Sequence, residues 1–474
     1  MKSLKYILLT AAASVLLSSC GNDFLDLTPH SNANEEDFYR TEEEIQTAMV
    51  AAYSTLHTIY GSLNVMYFFG ALTSDDAYTT DEGAGNYKPF ENSQVQANNG
   101  EVHAAWNQFY EAITRMNKIL EKLDKSDIAG KEVYQAEMKF LRALYYFNMV
   151  QIWGGVPLVT KTMSISEAYQ MGRASVESIY GMIMQDLEFC IHHLPVKGQV
   201  RAVGVPSKGA AYALLGKVYL TKGDKEKAAQ TLLNIYNKEY ELADTYEDLW
   251  DMDKKNGKES IFEIQYLGGV ENPYSTYWAL YTPANNLGMI TLQGGGHNQV
   301  SDDLWNAYEP GDPRRDISIQ DGWTTSAGEF DPTRFPLKWV DRNAPVSGKR
   351  EAGNNNFIVL RYADVLLMLT EATGDPKYMN EVRNRVGLPG YGETGYPAQY
   401  NTVELAVEHE RHVELAMEFH RFFDLKRTGR AVEVMRNSWK NLQSFDEHNL
   451  VWPIPETVID QNPELWAPLQ NPGY

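Results

Sequence analysis

The sequence predicts a mainly α-helical protein, in which stacked helical hairpins of the tetratricopeptide type carry a large irregular half. One observation is an apolar stripe whose members alternate spacings of four and three residues, as one buried helix face requires: Val102, Trp106, Phe109, Ile113, Met116, Leu120 and Leu123. A second is the segment 206–238, where Tyr212-x₂-Leu215-Gly216-x₂-Tyr219 and then Ala228-x₃-Leu232 follow the tetratricopeptide spacing. A third is the segment 240–356, which is rich in Gly, Pro, Asn and aromatic residues and lacks long periodic runs.

Capping and periodicity predict the helices in order along the chain. Thr41 and Glu44 form a capping box at the start of the first helix. Further helices are expected near 101–123, 131–151 and 175–194, and the last carries Cys190 in its apolar stripe as a small core residue. These three helices are the candidates to stack on the hairpin at 206–238, since one hairpin cannot bury its own apolar face.

The predicted close packing within that hairpin depends on Gly216, which lets its two helices approach. Regular helix is expected again after Arg361. Asp375-Pro376 has the residues of an N-cap and a first helical position, and the segment from Thr402 to Phe423 is amphipathic.

The N-terminus has the features of a targeting segment. Lys2 and Lys5 precede the apolar run 6–17, which is shorter than the ~20 residues that a helix needs to span a bilayer. Leu17-Ser18-Ser19-Cys20 resembles a bacterial lipobox, in which the cysteine is lipidated after cleavage; the alternative is an ordinary signal peptide with a chance cysteine.

We therefore expect a signal peptide at 1–19, a lipidated Cys20 with a tether at 20–40, and a single domain at 41–474. Within that domain the helical repeats lie mainly at 41–238 and 357–436. The binding region lies mainly at 240–356, with the loop 74–100 added to it.

The composition excludes some classes of function. Lys+Arg 42 against Asp+Glu 63 gives a formal net charge of −21, which disfavours binding to nucleic acid or to an anionic membrane face. Two cysteines allow at most one disulfide, and no CxxC pair indicates zinc. The charge excludes no neutral ligand.

Two acidic or histidine-rich stretches could suggest metal sites, and neither fits. His409 and His412 are three residues apart, whereas the metalloprotease motif needs four, so we expect a solvated helix face with Glu/Arg pairs. The segment 74–83 contains Asp75, Asp76, Asp81 and Glu82 but lacks the alternating spacing of an EF-hand. We predict no bound metal and no cofactor, and whether a structural cation is bound stays open.

Nothing in the sequence supports catalysis. The glycine-rich stretch 293–298 lacks the Lys-Ser/Thr of a phosphate-binding loop, and no Gly-x-Ser-x-Gly motif is present. Glycosidases use a pair of catalytic carboxylates, but a chain with 63 Asp and Glu residues offers too many possible pairs for the sequence to support or exclude one. We predict a binding protein rather than an enzyme.

Several segments resemble the SusD/RagB family of outer-membrane nutrient-binding lipoproteins. They are "EMKFLRALYYFNMVQIWGGVPLV" at 137–159, "RYADVLLMLTEA" at 361–372, "EVRNRVGLPG" at 381–390, "ERHVELAMEFHRFFDLKRTGR" at 410–430 and the closing segment 450–474. The resemblance implies a right-handed tetratricopeptide superhelix with an irregular ligand-binding half. It also implies a partner, a TonB-dependent transporter of the SusC type, for which such proteins act as the lid. His412 and His420 depart from the family's usual residues.

Sugar binding needs aromatic rings displayed on loops, with amide, carboxylate or guanidinium partners for the hydroxyls. The expected ligand residues are Tyr87, Phe90, Trp278, Tyr281 and Trp323, with Asp75, Asp76 and Asn98 as polar partners. Seven other tryptophans lie in framework or amphipathic contexts and are expected in the core: Trp106, Trp153, Trp250, Trp305, Trp439, Trp452 and Trp466.

The predicted function is that of a cell-surface lipoprotein that captures oligosaccharides for a SusC-type outer-membrane transporter of a Gram-negative bacterium. Two alternatives remain: a peptide-binding or scaffold lipoprotein of the RagB type, and a lipid-anchored glycoside hydrolase. The sequence does not identify the sugar, its linkages or its chain length.

Overall fold

A computed structural model describes residues 39–81 and 85–474 of the chain. The contacts divide the chain into a short N-terminal unit that ends at Ala48 and a large unit, Met49–Tyr474, which contains all the described helices and strands except the beginning of the first helix. The predicted signal peptide, Cys20 and most of the tether lie outside the described residues.

The described residues are mainly helical, as predicted. The α-helices are α1 (Glu42–Tyr53), α2 (Thr55–Tyr60), α3 (Lys88–Glu91), α4 (Gly100–Asp124), α5 (Lys131–Trp153), α6 (Ile165–Tyr169), α7 (Val176–His193), α8 (Lys208–Thr221), α9 (Lys225–Leu232), α10 (Tyr277–Tyr281), α11 (Asp302–Ala307), α12 (Pro313–Ser318), α13 (Tyr362–Thr373), α14 (Lys377–Arg385), α15 (Val403–Glu414), α16 (Arg421–Arg427), α17 (Ala431–Asn437), α18 (Glu456–Gln461) and α19 (Pro463–Trp466). A π-helix spans Tyr67–Leu72, and short 3₁₀ helices span Lys197–Gln199, Glu247–Leu249, Met252–Lys254, Glu447–Leu450 and Ala467–Leu469. No helix in the described part has the length and apolar character that a membrane crossing requires.

The strands are short and pair two by two, all antiparallel. They are β1 (Ala77–Tyr78), β2 (Ser260–Ile264), β3 (Gln299–Val300), β4 (Ile319–Gln320), β5 (Trp323–Thr324), β6 (Phe330–Asp331), β7 (Phe335–Pro336), β8 (Val346–Ser347), β9 (Arg350–Glu351) and β10 (Phe357–Arg361). The pairs are β1–β3, β2–β10, β4–β7, β5–β6 and β8–β9. The irregular half therefore contains small hairpins and long-range strand pairs rather than one sheet.

The predicted helical hairpin is present as α8 and α9, and its close approach depends on Gly216. A Cβ at this position would lie 2.4 Å from Cδ2 of Leu232, closer than real carbon atoms pack. Helix α4 packs on α5, α5 on α7, and α7 on α8, so the helices predicted to stack on the hairpin do so in sequence. Cys190 is buried in α7 as predicted, and burial raises the pKa of its thiol far above the ordinary value.

Two helix boundaries differ from the sequence prediction. The expected helix from Thr402 to Phe423 ends at Glu414 and restarts as α16, because Met417 and Phe419 adopt positive φ angles of 64° and 67°. Non-glycine residues rarely adopt this conformation, and composition gives no signal for it. Helix α14 begins one residue later than expected, with Pro376 outside the helix and Asp375 accepting a hydrogen bond from Lys377 N.

Helix α15 was expected to present a solvated face with Glu/Arg pairs. The pairs are present, but the face is buried. Glu414 is fully buried and accepts hydrogen bonds from Arg314, Arg361 and Arg385. These guanidinium groups hold the pKa of its carboxyl well below the ordinary value, although burial alone would raise it. Buried charges are stable only when they are paired. Through these ion pairs, α15 connects segments that are distant in the sequence.

Candidate functional site

The short strand pair β1–β3 brings the loop 74–81 against the irregular half. Ala77 pairs with Val300 and Tyr78 with Gln299. Thr80 N donates to Gly296 O at 2.8 Å, which extends the pairing past β1. The predicted binding loop and the predicted binding half therefore meet at β1.

Asp75 and Asp76, expected to face a ligand, are instead buried and already have partners within the protein. Both oxygens of Asp75 accept hydrogen bonds from Arg421, each 2.9 Å long, and Asp76 lies 2.6 Å from Nε2 of His412. Burial raises the pKa of Asp75, but Arg421 outweighs that effect and holds it well below the ordinary value. These carboxylates hold the loop on α15 and α16, which corrects their expected role as ligand partners.

The same two acids and His412 bring possible metal-ligand atoms within 4.8 Å of one another. Arg421 already neutralises Asp75, however, and the His412 ring already contacts Asp76. The arrangement is a hydrogen-bonded cluster around the ion pair of Asp75 and Arg421. Of the other acids in the segment 74–83, Glu82 lies outside the described residues.

Four of the five predicted stacking rings are packed in the interior. Trp278 is 4% exposed and forms a core cluster with Trp323 and Phe335. Phe90 is buried against Phe68, and the hydroxyl of Tyr281 donates to Ser62 O at 2.7 Å. The expectation that Phe90, Trp278, Tyr281 and Trp323 are displayed to a ligand is corrected, because these rings form the core that supports the loops.

Tyr87 and Asn98 are the predicted residues that reach the surface. Asn98 is exposed, and Tyr87 is half-buried with its ring 4.8 Å from that of Phe68 and 5.6 Å from that of His297. Burial, Glu101 and Asp81 raise the pKa of the Tyr87 hydroxyl, and Arg350 opposes them. Tyr87 thus has an anchored ring with carboxylates and a guanidinium close by, which is the combination that sugar recognition needs.

Two rings near β1, Tyr78 and Trp439, were not predicted as ligand residues. Trp439, expected in the core, is 38% exposed and lies edge-on to Tyr78, with ring centroids 5.5 Å apart. Its indole Nε1 donates to Asp75 O at 2.9 Å, which fixes the orientation of the ring. The sequence around Trp439 is amphipathic or framework-like, and it does not indicate that part of the ring stays accessible.

Phe330 is the third residue that sequence reasoning missed. It lies on the β5–β6 hairpin, pairs with Thr324 and is 64% exposed. Gly322 leaves room for it, since a Cβ there would lie 2.4 Å from Cζ of Phe330. Asp331, the next residue, is close enough to Tyr78 to contribute to the raised pKa of its hydroxyl. Phe330 is therefore an exposed ring four residues before Arg334, whose carbonyl accepts a hydrogen bond from Val300 N on β3, the partner strand of β1.

We refer to Tyr78, Tyr87, Phe330 and Trp439 together as the β1 surface. Charged groups flank it: Arg334 pairs with Asp302 at 2.5 Å and with Asp321 at 2.8 Å. Burial is the largest cause of the raised pKa of Tyr78; Asp302 raises this pKa further, and Arg334 lowers it. Partly open rings beside fixed acids and a guanidinium can stack on a sugar ring and bind its hydroxyls.

Comparison with known proteins identifies the fold and the family. Residues 23–220 match a family model described as "Starch-binding associating with outer membrane", and residues 324–474 match the model of the SusD family. The chain belongs to the SusD family. The resemblance carried by the sequence motifs and the mainly helical fold are both confirmed.

Individual relatives agree with this assignment over almost the whole chain. "SusD-like protein P2" of Formosa agariphila is 29% identical, with 97% of this chain and 98% of the relative covered. A solved structure named "Laminarin binding SusD-like protein" is 29% identical, has a TM-score of 0.79 and covers 92% of this chain and 100% of that one. A SusD superfamily protein from Bacteroides vulgatus, 23% identical with a TM-score of 0.78, covers 92% and 100% and shows the same fold.

SusD-family proteins are non-catalytic glycan-binding proteins, and the family is associated with the outer membrane. Family membership therefore agrees with the prediction of a binding protein rather than an enzyme. The four accessible rings of the β1 surface have a chemistry that fits such an activity.

Proposed function

We propose that this chain is a lipid-anchored surface protein that binds oligosaccharides at the β1 surface and delivers them to a SusC-type TonB-dependent transporter. The observation that carries the proposal is the group of accessible rings at Tyr78, Tyr87, Phe330 and Trp439, flanked by the Arg334 and Asp302 pair. Family membership supports the ligand class, and the laminarin-binding relative supplies a first probe.

The ligand site is tested by isothermal titration of the purified protein with laminari-oligosaccharides and starch oligosaccharides. Phe330→Ala removes a largely exposed ring that supports no core packing, so the protein should fold normally. We expect affinity for the bound glycan to fall about tenfold, because a stacked ring contributes on the order of 1 kcal/mol or more. Tyr87→Ala should act in the same direction.

Tyr169 provides the matched control. It is an exposed ring, 49% accessible, on α6 and far from β1 in the sequence. Tyr169→Ala should leave affinity unchanged. Equal affinity of the wild type and Phe330→Ala for a glycan that binds would contradict the site, and release of shorter products from any glycan would contradict the binding-only function.

The anchor is proposed at Cys20, which resembles the cysteine of a lipobox. Fatty chains supply ~0.8 kcal/mol per buried methylene, so two or three chains hold a protein on a membrane. Cys20→Ser should abolish labelling by radioactive palmitate and release the protein from the membrane fraction.

The transporter partnership is tested by affinity purification of the tagged wild-type protein from detergent-solubilised outer membranes. Absence of a TonB-dependent transporter from the eluate would contradict that part of the proposal.

A further inference from the structure

Within residues 85–474, Arg342 and Arg350 are the arginines whose guanidinium groups make neither a hydrogen bond nor an ion pair. The other arginines in this range donate to carboxylates or to backbone carbonyls, as Arg334 does to Asp302 and Asp321. Both exceptions are exposed, and both belong to the loop that carries β8 and β9. Because guanidinium groups readily form bidentate pairs with anions, two arginines left without a partner in one loop point to an external anion.

The loop places these cations beside Trp278 and Tyr87. Arg342 lies over the face of Trp278, 5.5 Å from the ring centroid, and Trp278 is part of α10. Strand β9, which carries Arg350, contacts α10, where Leu280 O accepts a hydrogen bond from His297 N at 3.0 Å. The His297 ring in turn lies 5.6 Å from that of Tyr87. Arg350 accordingly lowers the pKa values of both Tyr87 and His297. Lys349, next to Arg350 on the hairpin, is exposed and also has no ion pair within the described residues.

The neighbouring acid does not neutralise Arg350. Oε1 of Glu351 accepts a hydrogen bond from Leu292 N at 2.7 Å, and its Oε2 is buried without a partner. Glu101 and Asp81 raise the pKa of the Tyr87 hydroxyl, whereas Arg350 lowers it. The environment of Tyr87 is therefore polarised, with carboxylates that can accept from sugar hydroxyls and a guanidinium that can donate to an acidic group.

A net charge of −21 repels polyanions at a distance. At physiological ionic strength that repulsion is screened beyond about 8 Å, so charges in contact with the ligand decide the specificity. We propose that the glycan bound at the β1 surface is anionic, and that Arg350 and Arg342 bind its carboxylate or sulfate groups. This inference rests on the proposed glycan-binding function and specifies the class of glycan.

The test measures equilibrium binding of matched oligosaccharides to the full mature protein. Oligogalacturonate supplies carboxylates, carrageenan oligosaccharides supply sulfates, and laminari-oligosaccharides serve as the neutral reference. We expect one of the two anionic ligands to bind more tightly than the neutral one, with an affinity that falls as salt is raised. The anionic oligosaccharide that binds more tightly shows whether the arginines bind a carboxylate or a sulfate group.

Arg350→Gln and Arg342→Gln should each weaken binding of the anionic ligand about tenfold, since a charge-assisted bidentate contact is lost. Arg350→Gln removes no hydrogen bond or ion pair of the side chain, and Arg342→Gln removes one cation–π contact, to Trp278, so Arg350→Gln is the cleaner of the two tests. Lys238→Gln is the matched control, because Lys238 is exposed, has no ion pair in the described part of the chain and changes the net charge equally. This control should bind as the wild type does.

The outcomes separate this inference from the proposed function. Neutral ligands that bind as tightly as anionic ones, or an Arg350→Gln protein that binds like Lys238→Gln, would overturn the inference. If Phe330→Ala still weakened neutral binding in that case, the proposed function would stand. If none of the three ligands bound, both would be overturned.

Discussion

Arg421 donates two hydrogen bonds to the carboxylate of Asp75, each 2.9 Å long, across 346 residues of sequence. The pair is buried, and Ser301 Oγ and Trp439 Nε1 donate to the carbonyl of Asp75 from two further segments. The loop that leads into β1 is therefore fixed by contacts from three distant parts of the chain. Its position is set before any ligand arrives, as a rigid binding surface requires.

Asp75→Asn should destabilise the protein strongly. The substitution keeps the shape of the side chain but leaves the Arg421 guanidinium without its counter-charge in the interior, which costs about 3–5 kcal/mol. Urea denaturation followed by circular dichroism gives the free energy of unfolding. Asp316→Asn, in the exposed pair with Arg315, should change it by less than about 1 kcal/mol. Equal effects of the two substitutions would show that the Asp75 pair contributes little.

Glu414→Gln should also lower the free energy of unfolding by about 3–5 kcal/mol, because three arginines then lose their shared carboxylate. Glu404→Gln is the control, since Glu404 is an exposed acid in the first turn of the same helix. There we expect a loss of at most about 1 kcal/mol, from its interaction with the helix dipole. Thermal unfolding of the three proteins in parallel checks the order.

Gly216→Ala and Gly181→Ala should have opposite effects, although both replace a glycine within a helix. An added methyl at Gly216 would collide with Leu232, so the hairpin must open at a cost of about 1–3 kcal/mol. A Cβ at Gly181 on α7 meets nothing within 4 Å, so alanine should stabilise by about 0.5–1 kcal/mol through helix propensity. Chemical denaturation of both variants decides the signs. A stabilising Gly216→Ala would refute the close-packing argument.

Stability should fall as the pH drops from about 6.5 to about 4, in part because of His297. Burial lowers the pKa of this histidine to about 4, while Asp81 raises it and Arg350 lowers it further. The unfolded chain takes up the proton near pH 6.5, whereas the folded one stays neutral until about pH 4. The stabilisation is therefore complete above pH 6.5 and is lost below it, by about 3 kcal/mol in total.

Urea denaturation at a series of pH values, on the wild type and on His297→Gln, isolates this effect. The free energy of unfolding of His297→Gln should fall less steeply between pH 6.5 and 4 than that of the wild type, because the contribution of His297 is then missing. The exposed His192 serves as the control, and His192→Gln should reproduce the wild-type dependence. Parallel curves for the wild type and His297→Gln would contradict the assigned pKa.

The helices were predictable from the sequence because their signals are local. Each step of three or four residues in the stripe from Val102 to Leu123 spans about one helical turn, as do the capping contacts, and the structure contains helices at those places. Gly216 was also predictable, because the tetratricopeptide spacing states which residue faces which. The break after Glu414 was not, since Met417 and Phe419 adopt positive φ angles that non-glycine residues rarely show and that no local sequence signal indicates.

The candidate site was less predictable for the same physical reason. Trp278 and Trp323 lie in a segment rich in Gly, Pro and Asn whose helices and strands are too short to show a periodicity, so the sequence does not indicate on which side these residues pack. The structure buries both and exposes Phe330, seven residues after Trp323. The partners of Asp75 and Asp76 lie more than 330 residues away in the sequence, so no local pattern could reveal that these acids are already paired.

The long reach of these buried ion pairs has a consequence for biosynthesis. Asp75 and Glu259 are made early, while Arg421, Arg385 and Arg361 emerge from the ribosome much later. Until then the acids have no counter-charge and stay in water, so the nascent chain can complete its core only near the end of synthesis. A truncated product that stops before α15 lacks Arg421 and Glu414, the partners of Asp75 and Arg385, and is therefore expected not to complete its core.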